Sequence, residues 1–287
     1  MRVLPFLVVD VFTDRPLTGN QLAVFPAGAA IPEALLQPLA LEMGFSETVF
    51  VLPPKRDADA RVRIFTPASE LPFAGHPVLG TGVALAIERD RDHIMLETGA
   101  GDIPVDITTR DATTAFGWMR QPIPSITEHP DPGPLLEAVG LDRSLMAVEV
   151  YDNGVPHVYV ALADEDAVAA LVPDLSALRA ITTAADPPIV GINCFAGSGA
   201  RWKTRMFAPA NGVPEDAATG SAAGPLACHL ARHGRIRFGE EISITQGGEI
   251  GRPSTLVARA EGSADEITGV HVGGSAVVVA SGAFRLG

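Results

Sequence analysis

Apolar and polar positions alternate along the chain in short runs that are typical of β-strands. In the first half, segments rich in valine, isoleucine, phenylalanine and threonine are separated by glycine, proline or aspartate. This pattern predicts strands at Phe6–Thr13, Leu22–Phe25, Thr48–Leu52, Arg61–Phe65, Ile94–Glu97, Ile103–Thr108 and Phe116–Met119.

Two segments of the first half have the spacing of helices. Pro32–Met43 begins with a proline suited to a first helical turn and repeats leucine and methionine on one face. Pro77–Arg89 is almost wholly apolar. Because a helix that is hydrophobic on every side belongs inside a fold, we expect this second helix to be surrounded by sheet.

The proline-rich segment Pro122–Pro134 breaks this periodicity and is predicted to be a linker. After it the alternation of strands and helices starts again. We predict helices at Asp164–Val172 and Ser221–His233, and strands at Leu145–Tyr151, His157–Ala161, Ile189–Phe195, Arg201–Phe207, Ile242–Thr245, Ser254–Ala260 and Ala276–Ser281.

The second half also repeats a motif of the first. Arg63-Ile-Phe-Thr-Pro-Ala matches Arg205-Met-Phe-Ala-Pro-Ala, and an apolar residue with proline, a glycine and an apolar helix follow in both. An ordered set of this kind indicates internal duplication. We predict an α+β fold of two pseudo-symmetric halves, each a curved, mostly antiparallel sheet or barrel around a central helix. The first half is expected to comprise residues 1–122 with the C-terminal strand 273–287, and the second residues 123–272, with the active-site cleft between them.

Composition and charge exclude several classes of protein. The 287 residues are 47% hydrophobic and carry a net charge of −13, whereas a nucleic-acid-binding protein needs a basic face. The two cysteines lack the spacing of a disulfide framework or a zinc site, and no histidine pattern indicates a metal. With no apolar run of about 20 residues and no cleavage-site pattern, a cytoplasmic protein without a membrane span is expected.

Each half places a proline-containing loop just before its buried helix. The first loop ends at Gly75 and His76, and the second runs through Asp216 to Gly220 and Ser221. A helix start exposes unpaired N–H groups and the positive end of the helix dipole. Two such starts facing each other would bind one anionic group without a lysine. The alternative is that the two glycines only permit tight turns.

Ionisable side chains near these loops are candidates for proton transfer. Glu47 has apolar neighbours, and burial would raise its pKa above about 4.3, although an exposed turn carboxylate is the simpler reading. The ordinary pKa of a histidine makes His76 suited to proton exchange near neutral pH. The alternatives are that His76 caps the helix or lies at the surface. Asp216 and its neighbour Glu215 either cap the following helix or, for Asp216, face Glu47 and His76 across the cleft.

Other chemistry is less well supported. Ser221, His76 and Asp216 could form a serine-hydrolase set, but the residues around Ser221 do not form the G-x-S-x-G turn of a nucleophile elbow. Cys228 lies inside the second apolar helix, and we expect it to be a core thiol.

Ordered motifs over nearly the whole chain resemble the PhzF-like isomerases, a family named after an enzyme of phenazine biosynthesis. These motifs are Val9-Asp-Val-Phe-Thr, Leu17-Thr-Gly-Asn20, Gly44-Phe-Ser-Glu47-Thr-Val-Phe, Arg63-Ile-Phe-Thr-Pro, Glu70-Leu-Pro-Phe-Ala-Gly75-His76-Pro77, Arg205-Met-Phe-Ala-Pro, Glu215-Asp216-Ala-Ala-Thr219-Gly220-Ser221-Ala and Gln246-Gly-Gly-Glu-Ile-Gly251-Arg252-Pro253.

The resemblance implies the fold of diaminopimelate epimerase, a homodimer and no cofactor or metal. It implies that Glu47 is the acid/base that shuttles the proton, assisted by His76 and Asp216, with backbone amides at both helix starts near a substrate carboxylate. The substrate-binding residues expected on this basis are Asn20, Ser46, Gly75, Gly220 and Ser221.

The function expected from the resemblance is a cofactor-independent isomerase that moves a proton on a small carboxylic acid, such as a dihydro-hydroxyanthranilate. A non-catalytic acid-binding protein and an epimerase or racemase-like activity stay open. The related epimerases use a cysteine at each helix start, which this chain lacks, so two-thiol chemistry is not expected. Gln21 and Ala217 replace prolines that are frequent in the family, and Ala217 is expected to loosen the loop carrying Asp216.

Overall fold

The computed structural model describes residues 2–286, which fold into one continuous sheet of 17 strands and six α-helices. The helices are α1 (Glu33–Met43), α2 (Gly75–Arg89), α3 (Gly133–Ala138), α4 (Glu165–Ala169), α5 (Leu175–Ala184) and α6 (Gly220–Arg232). The strands are β1 (Arg2–Val11), β2 (Asn20–Phe25), β3 (Glu47–Leu52), β4 (Ala60–Phe65), β5 (Glu70–Leu71), β6 (His93–Thr98), β7 (Gly101–Arg110), β8 (Thr114–Arg120), β9 (Ser125–Glu128), β10 (Glu149–Asp152), β11 (Pro156–Ala161), β12 (Gly191–Ser198), β13 (Arg201–Ala208), β14 (Val213–Asp216), β15 (Ile242–Gln246), β16 (Ser254–Gly262) and β17 (Ile267–Leu286).

The first half of the sheet closes into a barrel around α2. Strands β1, β2, β3, β4, β6, β7, β8 and β17 pair in that order, and β17 returns to β1. All residues of α2 from Gly75 to Ala86 are buried. The small residues Gly80 and Gly82 let the strands approach, because a Cβ on either would overlap valine or leucine side chains of the barrel wall.

The second half repeats this arrangement around α6. The strands of this half pair in the order β10, β11, β12, β13, β15, β16 and β17. Parallel and antiparallel ladders follow each other here as they do in the first half along β1, β2, β3, β4, β6, β7 and β8. All residues of α6 from Gly220 to Ala231 are buried. The predicted α+β fold, with two similar halves that each wrap a helix, is confirmed.

The long strand β17 belongs to both halves. Its N-terminal part pairs with β16, and its C-terminal part pairs with β1. This crossover accords with a first half that includes the C-terminal strand. The boundaries themselves, residues 1–122 with 273–287 and residues 123–272, stay a prediction, and their end residues Met1 and Gly287 lie outside the described part of the chain.

The linker predicted at Pro122–Pro134 contains a strand. Residues Ser125–Glu128 form β9, which pairs antiparallel with β10. The four-residue strand is short, and its hydrogen-bonding partner lies more than twenty residues away, so its own sequence carries little of the signal. Among residues 2–286, no α-helix has both the length and the apolar character needed to cross a lipid bilayer.

Glu149 on β10 is a buried carboxylate that accepts hydrogen bonds from four donors near the C-terminal end of α6. It accepts hydrogen bonds from Tyr151 Oη at 2.9 Å, His229 Nδ1 at 2.9 Å, His233 Nε2 at 3.0 Å and Arg232 Nη1 at 3.2 Å. Burial alone would raise the pKa of Glu149, but these hydrogen bonds outweigh burial and hold that pKa well below its ordinary value.

The expectation that no histidines have metal-site spacing is wrong, because His229 and His233 form an H-x-x-x-H pair beside Glu149. His229 lies in α6 and His233 directly follows the helix, four residues further on, and their nitrogens lie within 4.8 Å of a Glu149 oxygen. The Arg232 guanidinium already neutralises this carboxylate, and a second cation would be repelled by it. We therefore interpret the cluster as a structural ion-pair network.

Glu149→Gln is expected to lower the free energy of unfolding by about 3 kcal/mol at pH 7, because it leaves several buried donors without their anion. The depressed pKa means that this contribution is present at neutral pH and is lost as the pH falls below about 4. Urea unfolding at pH 7 and at about pH 3, inside the range where the contribution is lost, measures both effects. Glu137→Gln on the exposed face of α3 is the control. Equal stability of the two variants at pH 7 would contradict this account.

Candidate active site

The first turns of α2 and α6 touch each other between the two halves. A Cβ on Gly75 would overlap the backbone of Gly220 and Ser221, and a Cβ on Gly220 would lie 2.9 Å from the Gly75 carbonyl carbon. Neither glycine has a positive φ, so close approach of the helices, rather than a tight turn, requires them here. The unpaired N–H groups and positive dipole ends of both helices thus point to one place.

A narrow cleft with a cavity volume of about 30 Å³ lies at this junction. Glu47, His76, Asp216 and the two helix starts form its polar end. The other lining residues are Thr66, Leu71, Ala74, Val155, His157, Val190, Met206, Ala208, Asn211, Val213 and Thr219. The chemistry of these lining residues suits a small ligand with one anionic group and an otherwise apolar body, and the cleft has to widen to admit one.

Glu47 is the first residue of β3 and points into the cleft. Its side chain is only 12% exposed, so it is not a surface turn carboxylate. Burial and then the negative charge of Asp216 raise its pKa to about 8, against the hydrogen bond of Ser46. Glu47 Oε2 is buried and has no hydrogen-bond partner among the described residues.

His76 is the second residue of α2 and lies beside Glu47. Its Nε2 is 3.5 Å from Glu47 Oε2, and its Nδ1 is 3.2 Å from Asn20 Nδ2. The side chain is 2% exposed, so it is neither a surface residue nor an exposed cap. Burial lowers its pKa to about 3, outweighing a hydrogen bond with the Gln21 backbone. His76 is therefore a neutral imidazole at physiological pH.

Asp216 is held from several sides at the end of β14. Asn20 Nδ2 donates to its Oδ1 at 2.8 Å, and Thr219 Oγ1 donates to its Oδ2 at 2.7 Å. Ser46 Oγ donates to Asn20 Oδ1 at 3.0 Å and so joins the same network. Burial raises the pKa of Asp216 to about 6 despite these hydrogen bonds.

The prediction that Asp216 or Glu215 caps α6 is wrong. Thr219 is the N-cap residue of α6, and no side chain caps it. Glu215 instead forms a two-pronged ion pair with Arg205 at 2.9 and 2.7 Å. The loop that carries Asp216 is also bound firmly despite Ala217, because Gln246 Nε2 donates to Asp216 O and to Thr219 Oγ1 at 2.9 Å.

The repeated R-x-F-x-P-A motifs brace the two loops in the same way. Arg63 binds Glu70 through two hydrogen bonds of 2.7 and 2.6 Å, as Arg205 binds Glu215. Each guanidinium also lies 5.1 Å from the ring centroid of the phenylalanine two residues further on. The duplicated sequence therefore positions both helix starts with the same contacts.

Several residues of the junction carry no signal in the sequence alone. Asn153 Nδ2 donates to Ser221 O at 2.9 Å, where Pro225 lacks the N–H that would normally complete the helix. Gln121 Nε2 donates to Gly220 O at 2.8 Å. Ser221 Oγ lies 3.0 Å from His157 Nε2, so the imidazole it contacts is not the His76 that the serine-hydrolase reading requires.

A family model described as phenazine biosynthesis-like protein, PhzC-PhzF, matches residues 9–282 of the chain. This chain belongs to the PhzC-PhzF family. It is 49% identical to the trans-2,3-dihydro-3-hydroxyanthranilate isomerase of Pseudomonas aeruginosa, over 96% of this chain and 98% of that protein. The predicted family and the prediction of an isomerase are confirmed.

Two solved structures have the same fold as this chain. A PhzF-family phenazine biosynthesis protein of Bacillus anthracis aligns over 100% of both chains with a TM-score of 0.84 and 24% identity. A predicted epimerase of Pseudomonas aeruginosa aligns over 99% of this chain and 100% of that one, with a TM-score of 0.82 and 30% identity. The roles of individual site residues stay predictions, although all eight residues named from the sequence lie around this one junction.

Proposed function

We propose that this chain isomerises trans-2,3-dihydro-3-hydroxyanthranilate, or a closely related cyclic amino acid, by moving a proton from one carbon to another. One observation carries the proposal: a buried carboxyl with a raised pKa, Glu47, lies beside two helix starts that meet. The 49% identical relative named for that reaction supports the choice of substrate. No atom is gained or lost, because the proton removed from one carbon is returned to another.

The helix starts bind the substrate carboxylate. The amides of Gly75, His76, Gly220 and Ser221 belong to first helical turns, where N–H groups have no partner within the helix. Fixed dipoles of this kind also stabilise negative charge that develops when a C–H bond breaks and its electrons move through the conjugated ring toward the carboxylate. A protein with a net charge of −13 thereby binds an anion without a lysine or arginine at the site.

Glu47 takes the proton and returns it. Its Oε2 has no hydrogen-bond partner among the described residues, and the neutral imidazole of His76 lies 3.5 Å away, where it can stabilise the proton that Glu47 carries. The negative charge of Asp216 makes Glu47 a stronger base than an isolated carboxylate. Asn20 holds Asp216 in place through a hydrogen bond, and Ser46 in turn donates to Asn20 Oδ1.

The pH dependence of kcat/KM follows from these pKa values. Because Glu47 accepts the proton in its ionised form, kcat/KM should rise with pH up to about 8 and then level off. Asp216→Asn removes the charge that raises the pKa of Glu47, so the rise should move to lower pH. Profiles of both proteins between pH 5 and 9.5 measure this shift. A fall in kcat/KM over this range, or an unmoved profile in Asp216→Asn, would contradict the assignment.

The proposal is tested by incubating the protein with trans-2,3-dihydro-3-hydroxyanthranilate in D₂O. A new ring isomer with deuterium on carbon is expected, because Glu47 exchanges its proton with solvent between turnovers. Saturable binding without isomer or deuterium would instead favour a non-catalytic acid-binding protein. Exchange at one carbon with inversion only would favour an epimerase-like activity, although Cys194 and Cys228 are both buried and neither lies at a helix start.

We also propose that the enzyme works without a cofactor or metal, in the cytoplasm, as a homodimer. The acid/base groups and the helix amides supply proton transfer and charge stabilisation without a further group. Sedimentation equilibrium distinguishes a dimer of about 60 kDa, twice the 29.9 kDa chain, from a monomer. Unchanged turnover after dialysis against a chelator is the expected result for the absence of a metal.

A further inference from the structure

The duplicated fold places a glycine in the second half where the first half has its candidate base. The repeated motif makes Phe65 of β4 equivalent to Phe207 of β13. Phe65 pairs with Thr48 of β3, and Phe207 pairs with Ile192 of β12. The residues just before these partners, Glu47 and Gly191, are therefore equivalent as well. Strand β11 lies parallel to β12, and the residue paired with Gly191 is His157. The second half therefore presents an imidazole beside the place where the first half presents a carboxyl.

The His157 ring is built into the wall of the cleft. Its side chain is 0% exposed, and it lines the same cavity as Glu47. A Cβ on Gly191 would lie 2.9 Å from His157 Nδ1 and 2.7 Å from Met206 Sδ, so the glycine makes room for the ring. His157 Nδ1 has no hydrogen-bond partner within residues 2–286.

Each helix start thus contacts one of these side chains through its second residue. His76 faces Glu47 in the first half, and Ser221 faces His157 in the second. The distance from Ser221 Oγ to His157 Nε2 is 3.0 Å, which is a hydrogen bond. The second pair lies against the proposed carboxylate site, because Ser221 belongs to the first turn of α6.

The direction of this hydrogen bond decides what Ser221 offers a ligand. Burial lowers the pKa of His157 to about 3, so the ring is neutral and carries one N–H. If the proton is on Nδ1, Ser221 must donate to Nε2, and its oxygen lone pairs then face the bound anion. If the proton is on Nε2, His157 donates to Ser221 and the hydroxyl proton is free to reach the carboxylate.

We propose that His157 is a positioning residue that donates from Nε2 to Ser221 Oγ and so directs the Ser221 hydroxyl proton at the substrate carboxylate. The inference rests on the proposed function, since it takes the ligand to be a small carboxylic acid. A bound carboxylate selects this tautomer, because the other one turns oxygen lone pairs toward a negative charge.

The test compares two ligands that differ only in the carboxylate. 3-Hydroxyanthranilate is a stable aromatic analogue of the proposed substrate, and 2-aminophenol is the same ring without the acid. Their dissociation constants are measured by calorimetry for the wild type, His157→Phe, His157→Gln, Ser221→Ala and the double variant His157→Phe/Ser221→Ala. Thermal unfolding of each variant checks that the fold is retained.

His157→Phe is expected to weaken 3-hydroxyanthranilate binding by about 3–10-fold and Ser221→Ala by about 10-fold or more. The double variant should bind no more weakly than Ser221→Ala, because His157 acts through Ser221. His157→Gln keeps a donor and should recover part of the loss. Losses that multiply in the double variant, or an equal loss for 2-aminophenol, would overturn the proposal.

A second readout needs no turnover and is made on the wild-type protein, with one variant used only to assign the signal. Long-range ¹H–¹⁵N spectra of ¹⁵N-histidine-labelled protein report which ring nitrogen of His157 carries the proton, with His157→Gln giving the assignment. The Nε2–H form is expected with 3-hydroxyanthranilate bound, and the Nδ1–H form would overturn the proposal. If the wild-type protein binds neither 3-hydroxyanthranilate nor the dihydro substrate, the proposed substrate class is wrong. Spectra recorded with benzoate, a simple aromatic carboxylate, then still decide which tautomer His157 adopts beside a bound carboxylate.

Discussion

Glu47→Gln should lower kcat by about 10²–10⁴-fold with little change in ligand affinity. Glutamine keeps the size of the side chain but cannot take a proton from carbon, whereas the helix amides that bind the carboxylate are untouched. The loss should appear in kcat, since the missing interaction belongs to the transition state. Initial rates with the dihydro substrate and calorimetry with 3-hydroxyanthranilate measure the two effects.

A matched control lies five residues away in the sequence. Glu42 is an exposed glutamate on α1, and Glu42→Gln makes the same chemical change outside the cleft. This control should keep wild-type kcat and binding. If Glu47→Gln also retains wild-type turnover, Glu47 is not the acid/base. If it loses binding of 3-hydroxyanthranilate instead of turnover, the residue serves to hold the ligand.

Gly75→Ala should impair both folding and catalysis. The added methyl group would overlap the backbone of Gly220 and Ser221, so the two helix starts must separate. Overpacking of a buried contact costs about 1–3 kcal/mol, and a displacement of about 1 Å at a catalytic site costs about 10²-fold in rate. Affinity for 3-hydroxyanthranilate should fall with the rate, because the amides no longer converge on one carboxylate.

The control for this variant is Gly248→Ala. A Cβ at Gly248 meets no other atom within 4 Å, and the residue has no positive φ. This variant should unfold at the wild-type urea concentration and turn over at the wild-type rate. Wild-type activity in Gly75→Ala would show that the close contact between α2 and α6 is not needed for the site.

The sequence predicts most of the secondary structure because strands and helices leave different local periods. The buried helices α2 and α6 are clear from their apolar runs, and the repeated R-x-F-x-P-A motif reveals the duplication. The strand β17 is predicted too short, at Ala276–Ser281, because Gly273 and Gly274 interrupt its pattern. Those glycines leave room for Trp118 and Phe12, which is a tertiary requirement.

The candidate site could be predicted only where residues lie in motifs. Glu47, His76 and Asp216 come from three separate motifs of a family pattern, but nothing local indicates that Asn20 joins His76 to Asp216. His157 sits in an ordinary strand pattern, and its contact with Ser221 is set by the pairing of β11 with β12. Contacts of this kind depend on how strands from distant segments are aligned. The local periodicity of the sequence carries no information about that alignment.

Two touching helix starts should bind the substrate carboxylate beside Glu47. A crystal structure with 3-hydroxyanthranilate bound tests it most directly. The carboxylate should lie within hydrogen-bond distance of backbone amides from both α2 and α6, with the ring over Glu47 and the apolar wall. A carboxylate bound elsewhere on the molecule, or bound with the ring reversed so that the acid points away from both helices, would contradict it.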